Sequence, residues 1–71
     1  MNNSTFPSLT QHEKRVLKLV ANGLTNKEIA QSLGITPRTV EFHLSKIFKK
    51  LNVTSRTAAS VEAEKMGLLN E

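Results

Sequence analysis

Residues 25–51, TNKEIAQSLGITPRTVEFHLSKIFKKL, hold two consecutive sets of helix start signals with one stop between them, and their reading decides the fold. Thr25 caps the first helix, Glu28 three residues on closes a capping box, and Leu24 before the cap is placed to pack on Ile29 as a hydrophobic staple. Gly34 ends that helix, since a residue without Cβ enters the left-handed backbone region at little cost. The chain restarts at once, with Thr36 as N-cap, Pro37 at the first helical position and Ile35 placed to staple onto Val40. A connection of about three residues opened by glycine fits two helices crossing at an angle better than an antiparallel hairpin. The spacing therefore predicts a helix-turn-helix unit, with Ala30 at a close helix crossing and Val40 at an inter-helix contact.

The second helix of the unit carries most of what looks functional. At about 100° per residue, Val40, Leu44, Ile47, Phe48 and Leu51 share one stripe, the expected core face. Arg38, Phe42, Ser45, Lys46 and Lys49 lie opposite, with Glu41 and His43 on the flanks. Residues 36–51 hold four cations, Arg38, Lys46, Lys49 and Lys50, against Glu41 alone, which is +3 of the chain's net +4. A short capped helix with a basic outer face, presented by a helix-turn-helix, has the properties of a major-groove reader.

Outward from this unit, Thr10 and Glu13 form a second capping box that opens an earlier helix, with Val16, Leu17, Leu19 and Val20 as its apolar side and Asn22 and Gly23 at its end. After Asn52, a C-cap or turn residue, Thr54 or Ser55 caps a fourth helix over about residues 56–66, closed by Gly67. In that helix Ala59, Ala63 and Met66 can face the other helices, while Thr57, Val61 and Glu64 form a second stripe. The second stripe reads either as a partner surface or as the outside of an amphipathic helix with one exposed valine. No segment reads as strand, so the fold class is all-α, a compact four-helix domain over residues 9–71. Residues 1–8, MNNSTFPS, read as a disordered arm or linker remnant; lacking Lys and Arg, they are a poor minor-groove arm.

Seventy-one residues make one small domain whose core supplies a few kcal/mol of net stability, on the order expected for this size. The absence of cysteine removes disulfides and thiolate metal sites. No apolar run approaches the roughly 20 residues of a membrane span and no signal-peptide pattern opens the chain, so the expected location is cytoplasmic, with no membrane partner. There is no glycine-rich phosphate loop and no cluster of histidines and carboxylates, so the expectation is a non-enzyme with no catalytic residue, no cofactor and no metal.

Taken together, LT-x-x-E-x-x-VL from Leu9, G-x-T-N-x-EIA from Gly23 and TV-x-x-H-x-x-x-I-x-x-KL-x-V-x-x-R from Thr39 resemble the DNA-binding domain of the LuxR family, which includes output domains of NarL-type response regulators and stand-alone regulators of the GerE type. The match runs over about residues 9–69, and the motifs are specific in combination. The resemblance implies a four-helix domain with its third helix in the major groove, its fourth helix as dimer contact, and transcriptional control as function. The polar, Pro-containing arm fits both a free-standing regulator and an output domain of a longer chain. Glu41 departs from the family, many of whose members carry a basic or neutral residue there, so base preference does not transfer from relatives.

The first half of a recognition helix reaches base edges, which selects Glu41, Phe42 and Ser45, and the family places base contacts here too. Glu41 can accept from cytosine N4; otherwise it is a solvated carboxylate paired with Arg38 or Ser45. Phe42 is the one apolar residue on the outer face and suits a thymine methyl; its alternative is packing over a helix neighbour. Thr25, Asn26, Thr36, Arg38, Thr39, His43, Lys46, Lys49 and Lys50 are expected at the DNA backbone, against the alternative of a solvated basic surface. His43, with no other ligand at metal-binding spacing, is expected to make a structural or phosphate hydrogen bond. Arg56 opposes the dipole of its own helix, and its place in the family motif therefore implies a tertiary hydrogen bond, for example to a turn carbonyl. Thr57, Val61 and Glu64 are the dimer candidates. The expected partners are double-stranded DNA carrying an inverted repeat and a second copy of the chain. The alternative is a protein-interaction module that contacts RNA polymerase or another regulator.

Overall fold

A hydroxyl begins every helix among the described residues. The computed structural model describes residues 9–68, and within them lie α1 (Gln11–Ala21), α2 (Asn26–Leu33), α3 (Pro37–Leu51) and α4 (Arg56–Lys65). Both capping boxes form: the Glu13 and Glu28 backbone N–H groups donate to Thr10 and Thr25 Oγ1, at 3.0 and 3.1 Å, and each glutamate accepts from the cap's N–H in return. Thr36 Oγ1 accepts from Thr39 N–H at 3.2 Å, and Ser55 Oγ from Ala58 N–H at 3.1 Å. Of the two candidates for the last cap, Ser55 is the one used.

The helix-turn-helix forms where the sequence places it. Gly34 takes φ 71°, a left-handed conformation natural to glycine, and Ile35 N–H donates back to the Ala30 carbonyl at 3.0 Å, closing α2 before Thr36 opens α3. Asn52 ends α3 at φ 59°, the one non-glycine residue with positive φ among the described residues, and Val53 N–H bonds the Phe48 carbonyl.

The core collects Val16, Leu17 and Val20 from α1, Ile29 and Ala30 from α2, Val40, Leu44, Ile47 and Leu51 from α3, Ala59 and Ala63 from α4, and Leu68 beyond it. Helix α1 packs on all three other helices, and the alanines of α4 bring that helix against it. Leu24, Ile35, Phe48 and Met66 lie half-buried around this cluster. The all-α class stands: no strand occurs among the described residues. The arm expected at residues 1–8 lies outside them, as do residues 69–71. No helix among them is long and apolar enough to cross a membrane.

Two long-range polar contacts brace the helices that carry the unit. Glu13, 5 % exposed, sits inside the apolar stripe of α1 and accepts from Lys50 Nζ at 2.7 Å. Arg56, at the start of α4, donates from Nη1 to Asn26 Oδ1 and from Nη2 to the Leu24 carbonyl, both at 2.7 Å. The tertiary hydrogen bond expected of Arg56 is therefore present, and it ties α4 to the start of α2.

Candidate nucleic-acid interface

With Val40, Leu44, Ile47 and Leu51 taken into the core, the rotation of α3 is fixed and its opposite face must meet solvent. Arg38, Glu41, Phe42, Ser45, Lys46 and Lys49 are all exposed. Arg38, Glu41, Phe42 and Ser45 line a shallow hollow of about 300 Å³, so the three expected base contacts share one concavity with one expected phosphate contact. Phe42 is 61 % exposed, although burying such a side chain is worth about 1.5–3 kcal/mol. Lys46 Nζ lies 5.3 Å from the centre of its ring, a cation–π contact worth about 0.5–1 kcal/mol at an exposed site.

The cations of this face are not neutralised internally. Among the described residues, Arg38, Lys46 and Lys49 make no ion pair. Glu41 makes neither the ion pair with Arg38 nor the hydrogen bond with Ser45 that would have explained it as a structural residue. Its carboxylate, an acceptor only, lies on the exposed face of the first half of α3.

The other expected site residues stand at different degrees of commitment. Thr25 and Thr36 hydroxyls cap their helices, and Thr36 and Thr39 hydroxyls lie 2.9 Å apart. The Oδ1 of Asn26 is held by Arg56, which leaves its NH2 group as the donor for an outside anion. Lys50 is turned toward α1 and Glu13, away from the centre of the outer face. Thr57, Val61 and Glu64 are all exposed on α4, on the side away from Ala59 and Ala63, with Val61 at 45 %.

Two features escaped the sequence reading. His43 stands half-buried on the α3 flank with its ring 4.6 Å from that of His12, at an interplanar angle of 66°, edge to face. Nothing in the spacing of residues 31 apart signals this pairing. The Glu13–Lys50 pair did leave a signal, because Glu13, Val16, Leu17 and Val20 follow the i, i+3, i+4, i+7 pattern of a buried stripe. A carboxylate inside such a stripe needs a partner. Its carboxyl is held below the ordinary glutamate range, first by the hydrogen bond from Lys50 and then by the Thr10 N–H, against the opposing effect of burial. Among the described residues no group of three or more histidines and carboxylates is arranged to hold a metal.

A four-helix domain built around a helix-turn-helix, with a capped, basic and solvent-facing second helix, defines the class of the helix-turn-helix DNA-binding domains of transcription regulators. The family model for bacterial regulatory proteins of the luxR family matches residues 7–63, and the chain belongs to that family. It is 48 % identical over 61 residues to the transcriptional activator protein AnoR of Acinetobacter nosocomialis, covering 86 % of this chain and 26 % of AnoR. It is also 48 % identical over 63 residues to the transcriptional regulatory protein LiaR of Bacillus subtilis, covering 89 % of this chain and 30 % of LiaR. The chain thus spans less than a third of either relative. Among solved structures, the ComA DNA-binding domain in complex with the anti-activator RapF aligns with TM-score 0.78 and 46 % identity, over 80 % of this chain and 98 % of that one. A Vibrio cholerae VqmA–ligand–DNA complex aligns with TM-score 0.80 and 28 % identity, over 96 % of this chain and 30 % of that one.

Proposed function

We propose that the chain binds double-stranded DNA sequence-specifically to regulate transcription, with α3 in the major groove. The observation that carries this reading is the outer face of α3, where an exposed phenylalanine and an unpaired carboxylate stand among three cations without ion pairs. Glu41, Phe42 and Ser45 read base edges, Glu41 from cytosine N4 and Phe42 from a thymine methyl. Arg38, Lys46 and Lys49 meet phosphates, joined by Thr36, Thr39, His43 and the NH2 group of Asn26. Thr25, whose hydroxyl also caps α2, adds to them from the start of that helix, and Lys50, engaged with Glu13, is the weakest member of the set. The exposed stripe Thr57, Val61 and Glu64 on α4 pairs two copies of the chain, so the site is an inverted repeat with half-sites about 10 base pairs apart or a multiple. The work is done in the cytoplasm, without cofactor and without catalysis. The similarity to a DNA-binding domain and to a protein solved on DNA supports the reading.

A second reading, a module that meets a regulator protein, rests on the ComA domain having been solved with RapF. One double variant separates the two. Lys46→Glu with Lys49→Glu is expected to weaken duplex binding by at least about tenfold at low salt and to flatten the salt dependence, since each phosphate contact contributes about −0.9 to the slope of log K against log salt. Unchanged affinity in a fluorescence anisotropy titration would move the interaction module ahead.

A further inference from the structure

The basic surface does not stop at the edge of α3. His43 on its flank meets His12 of α1 ring to ring at 4.6 Å, so the first turn of α1 lies beside the recognition helix. One turn on from His12, Arg15 is exposed, and among the described residues it makes neither a hydrogen bond nor an ion pair. The sole carboxylate of α1, Glu13, is buried and bound to Lys50. His12 and Arg15 also line, with Gln11, Lys14 and Lys18, an open hollow of about 440 Å³ in which every charged residue is a cation.

From this arrangement we infer that α1 supplies a second phosphate-binding strip, His12 and Arg15, continuous with α3 through the His12–His43 contact. The inference rests on the DNA-binding reading above and adds to it residues that neither motif nor helix pattern picks out. Its ligand is the sugar–phosphate backbone flanking the bases read by α3. The imidazole N–H of His12 and the guanidinium of Arg15 are donors, and a phosphate oxygen is the acceptor. His12 has a positioning part as well, because its ring packs on the edge or face of His43 and limits where that imidazole can point. The strip reads no sequence; it fixes the angle at which α3 enters the groove.

The test uses a duplex enriched by the wild-type chain from a random DNA pool, with anisotropy titrations over a series of salt concentrations. Arg15→Gln, His12→Gln and Lys46→Ala are compared; all three positions are exposed, and circular dichroism confirms that each variant is folded. Arg15→Gln is expected to lose roughly three- to tenfold in affinity at low salt and to reduce the salt slope by about 0.9, equally on enriched and unrelated duplexes. Replacing single phosphates by neutral methylphosphonates should reveal one flanking position at which the effect of Arg15→Gln or His12→Gln disappears. If Lys46→Ala weakens binding while both α1 variants match wild type at every phosphate, the inference is overturned and the α3 reading stands. If Lys46→Ala and the α1 variants all bind as wild type does, the DNA-binding reading itself is overturned.

Discussion

Glu13 shows how one residue is asked to do two jobs. It closes the capping box of α1 with Thr10 and, from within the buried stripe, anchors Lys50 of α3. Because its carboxyl titrates below the ordinary range in the folded chain, the unfolded chain takes up its proton first as the pH falls. The stabilisation from Glu13 is therefore complete above about pH 5 and drains away as the pH drops through the ordinary glutamate value, about 4.3, to its lower folded value. Glu13→Gln is expected to cost about 1–3 kcal/mol at pH 7, from a charged hydrogen bond weakened at a buried site. It should also flatten the loss of stability as the pH falls below about 5. Urea denaturation of both proteins across that range checks this, and parallel pH curves would show that Glu13 is not the titrating group. The capping half of its role was legible in TQHE, because a cap joins neighbours in sequence. The partner was not, since Lys50 is 37 residues away and the packing of α1 on α3 alone brings them together.

At the scale of elements, start and stop signals placed all four helices, and α3 turned out to face as its apolar period required. Contacts between elements were legible only in kind. Arg56, a cation at a helix start, signalled a tertiary acceptor, yet its two partners at Asn26 and Leu24 are set by where the start of α4 comes beside the turn before α2. His12 against His43 left no trace at all, as both residues occupy flanks that a wheel leaves ambiguous. Arg56→Ala is expected to cost about 1 kcal/mol, a modest figure because the guanidinium is exposed. It should also loosen the entry to α2, so that amides at residues 26–29 exchange faster while those at the centre of α1 keep their protection. Unchanged exchange at α2 would mean that Arg56 does not brace the helix-turn-helix.

For the whole molecule, the packing consumes one side of each helix and leaves the distribution of charge to define the partner. Of the four cations of α3, Lys50 is engaged with Glu13, and Arg38, Lys46 and Lys49 remain around Glu41 and Phe42. The apolar period of α3 already set Arg38, Lys46 and Lys49 opposite the core face, whereas the engagement of Lys50 with Glu13 depends on how α1 packs on α3. In the proposed DNA complex, base discrimination falls to the carboxylate of Glu41 and the ring of Phe42, while the cations set affinity without reading sequence. If Glu41 and Phe42 carry that discrimination, removing both side chains must erase it. Selection of bound duplexes from a random DNA pool, run in parallel with the wild-type chain and with Glu41→Ala plus Phe42→Ala, tests it most directly. The wild type is expected to enrich a short inverted repeat with cytosine and thymine at fixed positions, and the variant to lose enrichment at those positions while retaining its unselected binding. The same motif enriched by both proteins would contradict it.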